Sequence, residues 1–303
     1  MIYDIVIIGA GTAGLSAGIY GVRAGKKVLI LEEKYYGGQI INTPHIANYP
    51  GIKNISGFEF ATNLYEQAIE LGVEIQYEKV IKIEDNNKIK KVITEENSYD
   101  CKSIIIATGA KNRKLGVENE EKFTGAGVSY CATCDGAFFR EKDVAVVGGG
   151  NTALEDAGFL AEYCNKVYLI HRRDEFRGED KLVNILKEKS NVEFILNSTV
   201  SAIEGSDIVE GITVKNIISN EISQIDVNGI FIAIGQAPDN AIFSEIINLD
   251  EKGYVIADET CKTNLDGIFT AGDCRTKKIR QLTTAASDGS VAALAACEWC
   301  GTN

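Results

Sequence analysis

The sequence predicts an α/β protein made of two similar units, the second inserted into the first. Three observations predict it. A glycine-rich loop occurs twice, as Gly9-Ala10-Gly11-Thr12-Ala13-Gly14 and as Gly148-Gly149-Gly150-Asn151-Thr152-Ala153. Each follows a continuous apolar run, Ile5-Val6-Ile7-Ile8 or Val144-Ala145-Val146-Val147, as a strand buried on both faces of a parallel sheet requires. Each unit also has its own closing strand, Ile104-Ile105-Ile106-Ala107-Thr108-Gly109 and its echo Ile230-Phe231-Ile232-Ala233-Ile234-Gly235. On this reading one domain takes residues 1–112 and 244–303, and residues 113–243 form the other. A length of 303 residues suits two domains.

The first unit opens at Ile2-Tyr3-Asp4-Ile5, with no basic or apolar leader before it, so a soluble, cytoplasmic protein is expected. Apolar runs such as Val28 to Leu31 are too short to span a bilayer. A net charge of −12 argues against a nucleic-acid surface. Eight cysteines in an intracellular chain read as free thiols, ligands or catalysts rather than a disulfide scaffold. With only His45 and His171, a Ser-His-Asp hydrolase is nearly excluded and nitrogen ligands for a metal are few.

The first loop has the dinucleotide fingerprint. Gly9 permits the tight turn, Gly11 lets a pyrophosphate approach, and Gly14 lets helix and strand pack closely. The helical stretch Leu15 to Tyr20 offers N–H groups and a positive dipole end to phosphate. Val28-Leu29-Ile30-Leu31 is the next strand, and Glu32 at its end suits a ribose hydroxyl. Tyr36-Gly37-Gly38-Gln39 and Asn48-Tyr49-Pro50-Gly51 read as turns or as loops touching a cofactor.

Between the glycine loops lies Cys131-Ala132-Thr133-Cys134-Asp135-Gly136. The spacing serves a redox ring, a zinc site or two unrelated core thiols; its position between two nucleotide loops favours redox use. Gly148 lies 139 residues after Gly9, and the same offset carries Glu32 onto His171-Arg172-Arg173. A 2′-hydroxyl wants an acceptor, whereas a 2′-phosphate wants cations. The first loop therefore reads as an FAD site and the second as an NADPH site, with Arg177 a further cation. The strand Gly267 to Asp273 returns to the first domain, and Asp273 at its end can reach a polyol. Arg280-Gln281-Leu282 precedes the helical run Ala285 to Cys300, whose N-terminus can stabilise negative charge on a reduced flavin.

These segments together resemble the low-molecular-weight, NADPH-dependent thioredoxin reductases nearly end to end. The resemblance is carried by Gly9 to Gly14, Gly38-Gln39, Cys131 to Gly136, Gly148 to Ala153, His171 to Arg177, Ala271-Gly272-Asp273 and Arg280-Gln281. It implies a homodimer whose two Rossmann-like domains, one for FAD and one for NADPH, are joined by two short strands. It implies hydride transfer from NADPH to the flavin and reduction of a Cys131–Cys134 disulfide, with thioredoxin as the protein substrate. Cys134 then faces the flavin, Cys131 attacks the thioredoxin disulfide, and Asp135 is the acid-base group. The implied FAD set is Gly9, Gly11, Thr12, Ala13, Gly14, Glu32, Gly38, Gln39, Asn48, Thr108, Gly109, Asp273, Arg280, Gln281 and Leu282, with Val80 through its backbone. The implied NADPH set is Gly150, Asn151, Thr152, Ala153, His171, Arg172, Arg173 and Arg177. The basic cluster and second fingerprint, both intact, argue against a ferredoxin-dependent variant.

Cys297-Glu298-Trp299-Cys300 departs from the family pattern, and three readings compete: an outward redox relay, a metal site, or two inert thiols on one helix face. Cys101, Cys164, Cys261 and Cys274 read as core thiols. Two other functions compete as well: a related flavoprotein that reduces a peroxidase or glutaredoxin-like partner, and a zinc-stabilised nucleotide-sensing module built on four cysteines.

Overall fold

The computed structural model describes residues 2–43 and 45–302; Met1, Pro44 and Asn303 lie outside it. The chain folds as two compact units, one of residues Met1–Lys111 and Ala237–Asn303, the other of Asn112–Gln236.

Unit 1 begins with β1 (Ile2–Ile8), helix α1 (Thr12–Arg23), β2 (Val28–Glu32), helix α2 (Gly57–Glu70) and β3 (Glu74–Tyr77). Ser56 starts α2 by accepting the Glu59 amide at 3.1 Å, which satisfies one of the unpaired N–H groups of a first turn. β4 (Val80–Asn86), β5 (Ile89–Thr94) and the nine-residue β6 (Ser98–Ile106) follow. β6 has two partners on one edge. Its first half pairs antiparallel with β5, and its second half runs parallel to a strand contributed much later in the chain. Ile5, Ile7, Ile30 and Ile105 are completely buried, each worth about 1.5–3 kcal/mol of transfer free energy.

The chain leaves unit 1 through a short strand, β7 (Ala110–Asn112). Unit 2 contains β8 (Val128–Ser129), the one-turn helix α3 (Ala132–Asp135), β9 (Asp143–Val147), α4 (Asn151–Leu160), β10 (Lys166–Ile170), α5 (Asp180–Lys187) and β11 (Val192–Ile195). An antiparallel meander, β12 (Ser198–Glu204), β13 (Gly211–Asn216) and β14 (Ile222–Asp226), precedes β15 (Gly229–Ile232). The order β11-β10-β9-β15-β8 is parallel throughout. Its core packs on both faces of that sheet, as the unbroken apolar runs require.

β16 (Gln236–Pro238) pairs with β7 on the way back. The echo strand suggests a return near residue 243, whereas Ala237 already belongs to unit 1. Asn240 and Phe243 are buried there, Asn240 donating to the Gly253 and Cys274 carbonyls. β17 (Ile268–Thr270) then lies beside the second half of β6, and helix α6 (Leu282–Thr302) ends the chain. The parallel part of the unit-1 sheet therefore has the order β3-β2-β1-β6-β17. α6 packs on α1 at backbone distance, since a Cβ at Gly289 would lie 2.2 Å from the Ala13 carbonyl oxygen. Among the described residues no helix is long and apolar enough to cross a membrane.

Candidate active site and cofactor sites

Parallel strands put their C-terminal ends on one edge, and a crevice forms there for ligand. In unit 1 that edge carries the first glycine loop after β1, Glu32 at the end of β2, Thr108-Gly109 beyond β6 and Asp273 beyond β17. The loop has no room for other residues at two of its glycines. A Cβ on Gly9, where φ is +108°, would stand 2.4 Å from the Ala107 oxygen, and one on Gly14 would stand 1.8 Å from the Gly9 oxygen. A Cβ on Gly11 would meet nothing within 4 Å, so the face toward a ligand is open. Glu32 steadies the turn by accepting the Ala10 amide at 2.8 Å, and Gly37 donates to the Ala10 carbonyl at 2.8 Å. That contact brings Gly38 and Gln39, in the short 3₁₀ turn that follows, beside the loop.

On the other side, Thr108 donates to Asn240 at 2.8 Å and Asn48 donates to Gln281 at 3.2 Å. Arg280 lies 4.2 Å over the Tyr254 ring and donates to the Asp273 carbonyl at 3.4 Å. Leu282 opens α6. Val80 follows β3; its side chain is buried, which leaves only its backbone for a ligand. Asp273 Oδ1 is buried with no hydrogen-bond partner among the described residues. Burial pushes this carboxyl up, and Lys277 and Arg280 oppose the shift. A buried acceptor awaiting a donor, beside an open glycine cradle at a helix N-terminus, fits a dinucleotide with a hydroxylated arm.

In unit 2 the second glycine loop follows β9, and the segment after β10 folds back over it through the Arg177 amide, which donates to the Gly149 carbonyl at 2.7 Å. Asn151, at the start of α4, accepts the Glu179 amide at 2.8 Å. Thr152 and Ala153 continue the helix, and a Cβ on Gly150 would meet nothing within 4 Å. Arg172, Arg173 and Arg177 are exposed and form no ion pair with any described residue. His171 stands apart from them. It is 4% exposed, and its ring lies where a Gly149 Cβ would be 2.1 Å away and stacks on Phe176. Burial holds it below its ordinary pKa, and the three arginines add to the effect. The ring shapes the loop, while the arginines face solvent.

The dithiol lies on the same sheet edge. It follows β8, two strands from the glycine loop in the order β9-β15-β8, or about 10 Å. Cys131 and Cys134 form a disulfide with Cα atoms 5.3 Å apart across α3. Ser129 joins the parts: its hydroxyl donates to Asp135 Oδ2 at 2.6 Å and accepts the Cys131 amide at 3.1 Å. A Cβ on Gly136 would meet the Tyr163 hydroxyl at 2.3 Å, which explains the glycine after the acid. Both sulfurs being bonded to each other, neither is free as a thiolate ligand for zinc. Cys297 and Cys300 are unbonded thiols on α6, and Cys300 donates to the Asp4 carbonyl at 3.3 Å. Cys101, Cys164, Cys261 and Cys274 are all buried.

Several polar residues here escaped the sequence reading. Ser129 and Asn240 carry no motif. Asp288, which accepts the Gly272 amide beside Asp273 at 3.0 Å, had a visible signal, as a lone carboxylate in the small-residue run of α6.

The pyridine nucleotide-disulphide oxidoreductase profile matches residues 3–289. A thioredoxin reductase of Peptoclostridium acidaminophilum is 42% identical over 96% of this chain and 95% of its own. One from Listeria monocytogenes is 41% identical over 96% of this chain and 92% of its own. The crystal structure of thioredoxin reductase from Streptococcus pyogenes superposes with a TM-score of 0.95 at 42% identity, covering 100% of this chain and 99% of that one. A relationship of that extent takes in both sheets, both glycine loops and the dithiol, so the chain belongs to the pyridine nucleotide-disulphide oxidoreductase family.

Proposed function

We propose that the protein is an NADPH-dependent thioredoxin reductase, passing electrons from NADPH through FAD and the Cys131–Cys134 pair to the disulfide of a thioredoxin. The observation that carries the reading is a disulfide seated on the same sheet edge as a glycine loop flanked by three exposed arginines. Unit 1 is the FAD-binding domain and unit 2 the NADPH-binding domain. FAD, when bound, supplies the two-electron exchange between the nicotinamide and the disulfide.

The chain's residues divide the remaining work. Gly9, Gly11, Thr12, Ala13 and Gly14 receive the FAD pyrophosphate, Glu32 a ribose, and Asp273 the polyol. Gly38, Gln39, Asn48, Val80, Thr108, Gly109, Arg280, Gln281 and Leu282 complete that site. Gly150 to Ala153 receive the NADPH pyrophosphate, and Arg172, Arg173 and Arg177 its 2′-phosphate, while buried His171 holds their loop. In the reduced pair, the Cys131 thiolate attacks the thioredoxin disulfide and forms a mixed disulfide, releasing one thioredoxin thiolate that Asp135 protonates. The Cys134 thiolate then attacks Cys131 sulfur, which closes the ring and frees the second thioredoxin thiol. One NADPH and one proton are consumed per thioredoxin disulfide. Six unbonded thiols support a reducing, cytoplasmic setting, and the family resemblance supports a homodimer.

Anaerobic titration tests the reading. NADPH should bleach the flavin absorbance, and oxidised thioredoxin should restore it with one NADPH spent per disulfide. Re-oxidation by a glutaredoxin-like or peroxidase partner, and not by thioredoxin, would reassign the substrate.

A further inference from the structure

The flavin-side turn of unit 1 is held by a buried ionic cluster outside every motif. Asp288, on the second turn of α6, is 5% exposed. Its Oδ2 accepts the Gly272 amide at 3.0 Å, Arg275 Nε at 2.9 Å and Lys277 Nζ at 2.8 Å, and its Oδ1 accepts an Arg275 terminal nitrogen at 2.8 Å. Arg275 is 1% exposed, and the Lys277 side chain 5%. One carboxylate thus ties down both flanks of Asp273, whose Oδ1 is buried without a hydrogen-bond partner among the described residues. Burial opposes ionisation of Asp288, but the bonds from Arg275 and Lys277 hold its carboxyl below the ordinary value. A buried charge cluster is an expensive way to hold a turn, since packed apolar groups commonly do as well. Its presence at this turn is explained if aim and charge at Asp273 matter.

We propose that Asp288 is the positioning residue of the cofactor's flavin arm: through Gly272, Arg275 and Lys277 it fixes where Asp273 points, without touching the cofactor itself. The inference rests on the FAD reading of unit 1. Sheet order makes it separable from adenosine binding. Glu32 ends β2 and Asp273 follows β17, with β1 and β6 between them, a distance of three strand spacings or about 14 Å. A ligand laid across the strand ends therefore meets Glu32 and the glycine loop with one half and Asp273 with the other.

The test uses full-length apoprotein with NADP⁺ saturating unit 2, and measures FAD and ADP binding by calorimetry. ADP reads only the glycine loop and Glu32. Asp288→Asn should raise the FAD Kd about 10- to 100-fold, the range for loss of hydrogen bonds to a charged group, and leave the ADP Kd unchanged. An unchanged FAD Kd, or equal loss of FAD and ADP by a cooperatively folded variant, overturns the proposal. Should Asp288→Asn fail to melt cooperatively, Arg275→Lys decides, because it keeps the buried charge but breaks the two-bond fork to Asp288. It should weaken FAD about threefold to tenfold with ADP unchanged, and wild-type FAD affinity in that variant overturns the proposal. Failure of the wild-type protein to bind FAD would instead sink the cofactor reading itself.

Discussion

Asp135 receives the Ser129 hydroxyl at 2.6 Å, and Ser129 in turn holds the Cys131 amide, so acid and dithiol are built as one piece. Asp135→Asn should slow dithiol–disulfide exchange with thioredoxin about 10²–10⁴-fold, the usual weight of acid-base help, and leave NADPH binding unchanged. Stopped-flow re-oxidation of the reduced enzyme by thioredoxin measures this, and an unaltered rate removes Asp135 from the mechanism. Asp156, half-buried on α4, behaves differently. Burial first, and then Glu155, pushes its carboxyl up to about 7. A carboxyl whose folded pKa exceeds its unfolded value contributes stability that is complete below about pH 4 and is lost as pH rises through about 7. Asp156→Asn stays neutral, so its melting temperature should gain on wild type between about pH 4 and about pH 7. A pH-independent difference between the two would show that Asp156 does not titrate in this window.

The element proposed to read the nucleotide is the loop from His171 to Arg177. Its shape comes from a buried imidazole and from the Arg177 amide bonded to Gly149, while the three arginines are left exposed. Replacing Arg172 and Arg173 with Gln should weaken NADPH far more than NADH, by roughly tenfold or more for each charge-assisted bond lost. Equal losses for both nucleotides, measured by steady-state KM, would mean that the loop does not read the 2′-phosphate. Helix α6 poses the other question at this scale. It runs through Cys300 and Gly301 to Thr302, where the glycine suggests that it should fray. Within an unbroken helix, Cys297 and Cys300 cannot readily close a bond, and burial raises both thiols, Cys300 to about 11. Cys297→Ser/Cys300→Ser should therefore keep near-normal thioredoxin reduction. A large loss of turnover with flavin reduction intact would reveal a second relay.

At the scale of the whole molecule, the described residues form four apolar clusters, two in each unit, that share no buried residue. Unit 1 holds the clusters around Ile5 and Val6, unit 2 those around Val128 and Val144. Unit 2 is continuous in sequence and closes its own parallel sheet, so residues 112–236 expressed alone should fold, form the Cys131–Cys134 disulfide and bind NADP⁺. Circular dichroism and calorimetry check this, and an unfolded fragment would show that unit 1 is required to complete it. The full chain should melt in two transitions rather than one. FAD should raise the temperature of one transition and NADP⁺ that of the other, as ligands stabilise the unit that binds them.

Much of this was legible in the sequence because it rests on local chemistry. Gly9, Gly14 and Gly148 are needed wherever a strand must turn into a helix against another backbone, so spacing alone reveals the sheet edge on which a site can form. The change from Glu32 to the His171–Arg173 segment is likewise local, and on the proposed reading it concerns one phosphate. Roles that depend on burial or on distant partners were hidden. His171 reads as one more base beside the arginines, and only packing against Gly149 and Phe176 turns it inward. Ser129, Asn240 and Asp288 act on groups 6, 132 and 16 residues away, and no periodicity or motif encodes those separations. Sequence determined which backbone turns and charges the sites must have. Folding decided which polar side chains lose water together, and that loss makes a hydrogen bond or an ion pair decisive.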